Sequence, residues 1–283
     1  MIKDESYWNY ISIVSSSLES RMPRVKCKVL ISGVSGMIGA VLTDILLFSN
    51  RTYGTQYNVI GLGRSKSHAE DMFDEYEKSD YFKFVQHDIN QTIPEVGAVD
   101  YVIHAASNTH PVDYSGDPIG TITANVIGTN NLLEYAVSHG CRRFVFLSSV
   151  EIYGENKGDI ERFDEIYNGY INCNTLRAGY PESKRTGEAL CQAYGKKYNL
   201  DFVIPRLCRV YGQTMSLRDS KAIAQFIKNA ANDDDIVLKS EGKQLYSYID
   251  VFQAAYAVLF IMLNGENGNA YNISADSGEW YMR

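Results

Sequence analysis

The sequence is short of most features that take a chain out of the ordinary globular class. No apolar run approaches the ~20 residues of a membrane span, and the opening MIKDESYWNY has neither the basic start nor the apolar stretch of a secretory signal. Lys and Arg number 27 against 34 Asp and Glu, a net charge of -7. A general nucleic-acid binder needs a basic face, so the charge argues against one. The five cysteines (27, 141, 173, 191 and 208) are scattered, with no C-x-x-C pair and no matching His spacing. That argues against a disulfide framework or a zinc site, so no metal is expected and the thiols fit a reducing cytoplasm. No repeat, linker or low-complexity stretch interrupts the chain.

What remains is a chain of 283 residues, 45% hydrophobic and 22% charged, long enough to bury a sizeable core. Tyr7, Ile11, Val14 and Leu18 recur on one face of a helix expected over residues 4–20, either packed on the domain edge or serving as an oligomer contact. From Lys26 short apolar runs alternate with helical stretches. Runs at 27–32, 57–62, 82–85, 99–104, 143–147 and 202–205 read as buried strands; 37–48, 122–139 and 180–198 read as helices. This alternation predicts an α/β, Rossmann-type doubly wound parallel sheet. After Arg206 it loosens into a helix at 219–231, a strand at 236–239 and a helix at 251–263. The expected organisation is a helical extension over 1–25 and a dinucleotide-binding domain over 26–205, to which 248–265 returns. Residues 206–247 and 266–283 form a smaller substrate lobe. The run Asp233-Asp234-Asp235 reads as a solvated loop.

Gly33-Val34-Ser35-Gly36-Met37-Ile38-Gly39 lies between the first strand and the first helix. Glycines there permit a tight turn, close approach of backbone N–H groups to a pyrophosphate, and close helix–strand packing. The second strand ends Gly63-Arg64-Ser65-Lys66, without the carboxylate that would hold a ribose 2′-hydroxyl. Arg64 is either a ligand for a 2′-phosphate, which favours NADP over NAD, or a solvated loop cation. Asp88 ends the third strand and suits the adenine amino group.

Ser148-Ser149 follows the fifth strand, and Tyr180-Pro-Glu-Ser-Lys184 opens a helix. Residues four apart share a helical face. A Lys ammonium beside a phenol favours the phenolate, which makes Tyr180 a usable base toward an alcohol. Ser149 would hydrogen-bond the same oxygen. A lone Y-x-x-x-K is weak in a chain with 21 Tyr; its conjunction with an upstream Ser and a glycine turn is much stronger.

Together GVSGMIG (33–39), HDI (87–89), IHAAS (103–107), NVIGTNNLLE (125–134), SSVEIYGE (148–155) and YPESK (180–184) resemble the extended short-chain dehydrogenase/reductase family. This is the family of NAD-dependent nucleotide-sugar epimerases and dehydratases, and the resemblance runs from about Lys26 to Ile273. The stretches 104–122 and 169–185 look most like its UDP-glucuronate decarboxylase branch. The resemblance implies transient oxidation of a sugar hydroxyl, with Tyr180, Lys184 and Ser149 as catalytic residues. It implies that Glu151 moves a ring proton, the alternative being a buried structural acceptor. It adds Ile89, Ala105, Ala106, Ser107 and Asn125 to the cofactor site, Ser107 and Arg177 to the substrate site, and a homodimer joined by helices near 122–139 and 180–198.

Departures from the family pattern matter too. Its Q-x-R-x-F-x-Y-V stretch, whose Arg meets the substrate carboxylate region, reads Gln244-Leu-Tyr246-Ser-Tyr248-Ile-Asp250-Val251, and its R-x-x-N reads Arg206-Leu-Cys-Arg209. Decarboxylation is therefore the alternative rather than the leading activity. Arg209 meets either a substrate phosphate or acid, or a neighbouring carboxylate. Tyr246 would line the substrate site. Family members continue several tens of residues past this point, so the expectation is either a truncated chain or a naturally short member, with a substrate lobe that is short as given. A non-catalytic dinucleotide-binding scaffold is the reading from another class.

Overall fold

Branched and aromatic residues build the strands, and glycines or small residues end them. The computed structural model describes residues 3–108, 116–216, 219–238 and 246–275. The strands are β1 (Lys26–Ser32), β2 (Gln56–Gly63), β3 (Phe82–Gln86), β4 (Tyr101–His104), β5 (Arg143–Phe146), β6 (Ser148–Ser149), β7 (Phe202–Leu207), β8 (Arg209–Tyr211), β9 (Tyr248–Asp250) and β10 (Ala270–Ile273). The helices are α1 (Glu5–Leu18), α2 (Met37–Tyr53), α3 (Lys66–Phe73), α4 (Pro118–Ser138), α5 (Gly179–Tyr198), α6 (Ala222–Ala231) and α7 (Val251–Asn264).

The main sheet runs β10-β7-β5-β4-β1-β2-β3, all parallel, with β6 beside β7. This is the doubly wound order expected from the alternation. Both faces are covered: α1, α2 and α7 pack on one side, α4 and α5 on the other. The strand order reverses between β1 and β4. Such a switch point opens a crevice beyond the carboxyl ends of the strands, where ligands bind in folds of this type.

Helix α1 is the expected amphipathic helix. Asp4 caps it by accepting from the Tyr7 N–H at 2.9 Å, and its stripe of Tyr7, Ile11, Val14 and Leu18 is buried against α2 and α7. Each large side chain so buried stabilises by about 1.5–3 kcal/mol. That stripe is packed within the chain, on the domain edge. A buried carboxylate fastens the same helix: Asp44 of α2 accepts from the Tyr7 hydroxyl, from Tyr76 Oη at 3.0 Å and from Lys3 Nζ at 3.0 Å.

Three expectations differ from the structure. Residues 236–238 form no strand; Ile236, Val237 and Leu238 are exposed, because no neighbouring strand among the described residues takes their backbone groups. Lys239 lies outside the described residues. The helix expected from 219 starts at Ala222, since the Asp219 carboxylate accepts from the Lys221 N–H and makes a turn of 219–221. Ala270–Ile273 was expected in the substrate lobe. It pairs instead with β7 as the edge of the main sheet, its backbone completing the β7 ladder. A second sheet, the parallel pair β8–β9, joins Arg209–Tyr211 of the expected lobe to Tyr248–Asp250 of the segment expected to return to the dinucleotide-binding domain.

Candidate active site

The glycine segment makes the turn from β1 into α2. Gly33 has φ +69°, and a Cβ there would lie 2.7 Å from the Ala106 backbone. A Cβ on Gly39 would lie 2.4 Å from the Gly33 carbonyl oxygen, so helix and turn approach as only glycine allows. Gly36 is the N-cap of α2 and supplies no side-chain acceptor; a Cβ there meets only the Gly33 carbonyl oxygen, at 3.1 Å. First-turn helix N–H groups lack intrahelical partners, so they suit a phosphate. The segment therefore fits a dinucleotide's diphosphate. Ser35, in the same turn, lies beside the end of β2, its Oγ 3.6 Å from a Cβ placed on Gly63.

One cleft at the switch point gathers most of the chemistry. Met37, Ile38, Ala105, Ser107, Ser149, Glu151, Arg177, Tyr180, Lys184 and Arg209 all line it. Their sequence positions span more than half the chain, and strand ends bring them together. Lys184 is buried, and its Nζ donates to the Leu147 carbonyl oxygen at 2.8 Å. Burial pushes its ammonium down to about 7, against the opposing pull of Glu188. Gly187 makes this possible: a Cβ there would lie 2.3 Å from the Phe146 ring, so only glycine lets α5 sit this close to β5. Ser149 Oγ accepts from the Glu151 N–H at 3.2 Å. The Glu151 carboxylate pairs with Arg209 at 3.3 Å, and the Arg209 guanidinium lies 3.4 Å from the centre of the half-exposed Tyr246 ring. Glu151 is thus the neighbouring carboxylate expected as one of the two partners of Arg209.

Arg64, Asp88, Ile89, Ala106 and Asn125, also expected at the cofactor, do not line that cleft. Asp88 is exposed and accepts from the Asn90 N–H at 3.0 Å, while Ile89 is buried against Gly128 of α4. The Arg64 side chain is exposed and makes no hydrogen bond or ion pair among the described residues, whereas Lys66 pairs with Glu70 at 3.4 Å. Asn125 does not reach the cleft. It is buried, accepting from Ser107 Oγ at 2.8 Å and donating to Ser183 Oγ at 2.9 Å. Its amide is thereby spent on holding α4, α5 and the Ser107 loop together. Residues 109–115 of the decarboxylase-like stretch, and Gln244, lie outside the described residues.

The sequence reading missed three supports. Buried His104 bridges Ser32 Oγ (2.8 Å) and Thr129 Oγ1 (3.0 Å). Thr129 donates to the Asn125 carbonyl oxygen and Ser32 Oγ accepts from the Ala106 N–H. The imidazole therefore donates from Nε2 and accepts at Nδ1, a neutral tautomer; burial and the Lys184 charge hold its pKa well below the usual histidine range. Behind Lys184, Arg206 grips Glu188 with two bonds (3.0 and 2.7 Å), and Glu188 accepts from Ser148 Oγ at 2.6 Å. Lys221, just before α6, also lines the cleft. The one available signal was its place ahead of an amphipathic helix, which the expected start at 219 hid inside that helix.

Comparison with known proteins agrees with this architecture. The NAD dependent epimerase/dehydratase family matches residues 29–274. The chain belongs to that family. It is 28% identical over 276 residues to UDP-glucuronic acid decarboxylase 2 of Arabidopsis thaliana, covering 98% of this chain and 59% of the relative. It thus spans about three-fifths of that relative's length. Among solved structures it resembles dTDP-glucose 4,6-dehydratase DesIV of Streptomyces venezuelae with NAD bound (TM-score 0.75, 24% identity, 87% of this chain and 74% of that one). It also resembles UDP-glucuronic acid 4-epimerase of Bacillus cereus in complex with UDP-glucuronic acid and NAD (TM-score 0.72, 23% identity, 88% and 78%). Both structural likenesses are of fold.

Proposed function

We propose that this family member is an NAD(P)-dependent nucleotide-sugar epimerase or dehydratase that transiently oxidises a sugar hydroxyl. The observation that carries the reading is a buried Lys184 one helical turn from Tyr180, with Ser149 lining the same cleft beside the glycine turn. In this reading Tyr180 takes the hydroxyl proton, Ser149 hydrogen-bonds the same oxygen, and Lys184 stabilises the phenolate and holds the nicotinamide ribose. The bound dinucleotide supplies the hydride acceptor and returns the hydride within the cycle. A ketone acidifies the neighbouring C–H, and Glu151 is the carboxylate in the cleft to move that proton. Ser107, Arg177, Arg209 and Tyr246 would face the substrate. Decarboxylation of a uronic acid remains the alternative outcome, since Tyr246 stands where the resemblance places an Arg.

Replacing Tyr180 by Phe should lower turnover at least ~100-fold with nucleotide-sugar affinity retained, read by product chromatography. Full turnover by that variant would defeat the assignment, and tight NAD binding with no conversion of any UDP-, GDP-, CDP- or dTDP-sugar would favour the scaffold. Arg64 carries the NADP preference: R64A should weaken NADP about tenfold and leave NAD unchanged, by calorimetry. Exposed Ile119, Ile122 and Ile127 on α4 support a homodimer through that face, a mass doubling that light scattering reads. The cysteines are free thiols, which supports a reducing compartment such as the cytoplasm; among the described residues no helix is long and apolar enough to cross a membrane.

A further inference from the structure

Two arginines of the sheet are closed pairs. Arg206 holds Glu188 through two nitrogens at 3.0 and 2.7 Å, and Arg143 holds Asp201 through two at 2.6 and 3.1 Å. Arg209 is held differently. It opens β8 just past the end of β7, and its backbone N–H is anchored to the Ser247 carbonyl oxygen at 3.2 Å. One nitrogen, Nη2, reaches Glu151 Oε1 at 3.3 Å, long for a charge-assisted bond, and both side chains are partly exposed. Its guanidinium carbon lies 3.4 Å from the centre of the Tyr246 ring, which restrains it, and among the described residues Glu151 is its one side-chain hydrogen-bond partner. Lys221 lines the same cleft, its ammonium 3.8 Å from Asp219 Oδ2. The sugar end therefore presents a preoriented guanidinium and a second cation, with Glu151 as a loosely held partner.

We propose that Arg209 exchanges partners: it holds Glu151 in the chain alone, and an oxyanion of the entering nucleotide sugar, shared with Lys221, draws it away and releases the carboxylate for proton transfer. This deepens the reading above and rests on it. The oxyanion is either the phosphate next to the sugar or a carboxylate on the ring; both offer paired oxygens to a guanidinium edge. Exchange would keep Glu151 paired until a substrate is seated, so that binding and base release are one event. No proton or electron moves in the exchange itself.

Calorimetry on NAD-loaded protein with UDP-glucose and UDP-glucuronic acid tests this. For R209N, which urea melts should show to be folded, a loss of about 10- to 100-fold for both ligands assigns the phosphate. The same loss for UDP-glucuronic acid alone assigns the carboxylate, and unchanged affinity for both overturns the proposal. E151Q removes the competing partner, so it should tighten binding several-fold when Arg209 is present and have no effect in the R209N background. Equal tightening in both backgrounds would overturn the exchange. Failure of the unmodified protein to bind either sugar would instead overturn the nucleotide-sugar reading, and this inference with it.

Discussion

Two ionisable groups, Asp44 and Lys184, are buried on opposite sides of the sheet, and their surroundings differ in kind. Asp44 is encircled by donors: the Tyr7 and Tyr76 hydroxyls and the Lys3 ammonium, which also pairs with Glu75 at 2.7 Å. Lys184 has three N–H donors and meets the Leu147 carbonyl oxygen, with the Phe146 ring 4.9 Å away. The first group is closed, and it pins α1 and the 74–76 turn to α2. The second is buried yet faces a cleft, which is the condition of a side chain waiting for acceptors on a ligand. Burial alone therefore does not separate the two; donor capacity beside a cavity that no described residue takes up does, and it supports the role proposed for Lys184.

The contrast can be broken by substitution. Asp44→Ala should destabilise by about 3 kcal/mol in urea melts, because it strands a lysine and two hydroxyls built around the carboxylate. Turnover per folded molecule should be unchanged. A smaller effect sharpens the contrast through pH. Burial raises Asp44 to about 6 from an ordinary 3.8, so its stabilising contribution is fully present below 3.8 and is lost as pH rises through 6. Lys184 is depressed to about 7 from 10.5, so the folded state binds fewer protons between those values. Its penalty is complete below 7 and is relieved as pH rises toward 10.5. Urea melts across pH should therefore lose their acid-side slope in D44N and their alkaline-side rise in K184M. A wild-type slope retained in either variant would remove that group from the account.

How legible was this in the sequence? Most of the parallel sheet was, because buried parallel strands read as short branched runs: β1 to β5 and β7 announced themselves locally, while the two-residue β6 and the edge strand β10 did not. The glycine turn and the Tyr180–Lys184 pair were legible for the same reason: their parts lie within seven residues. Groups assembled from distant segments were not. Residues 3, 7, 44 and 76 meet around one carboxylate, and 148, 188 and 206 meet behind Lys184, with no spacing to betray either. Lys221 was invisible because its helix was begun too early. The 236–238 run failed as a strand because branched residues describe a strand's chemistry but not whether a neighbour exists. Ala270–Ile273 failed the opposite way, since four residues near the end of the chain do not say which sheet they join.

The most direct measurement is NAD affinity, by calorimetry, for the wild-type chain and for Lys184→Met. If the Lys184 donors that no described residue accepts serve the dinucleotide, affinity falls at least about tenfold while the urea midpoint at pH 7 stays level or rises, since a buried charge has gone. Unchanged NAD affinity together with a lowered urea midpoint would contradict the account, making Lys184 a structural group like Asp44.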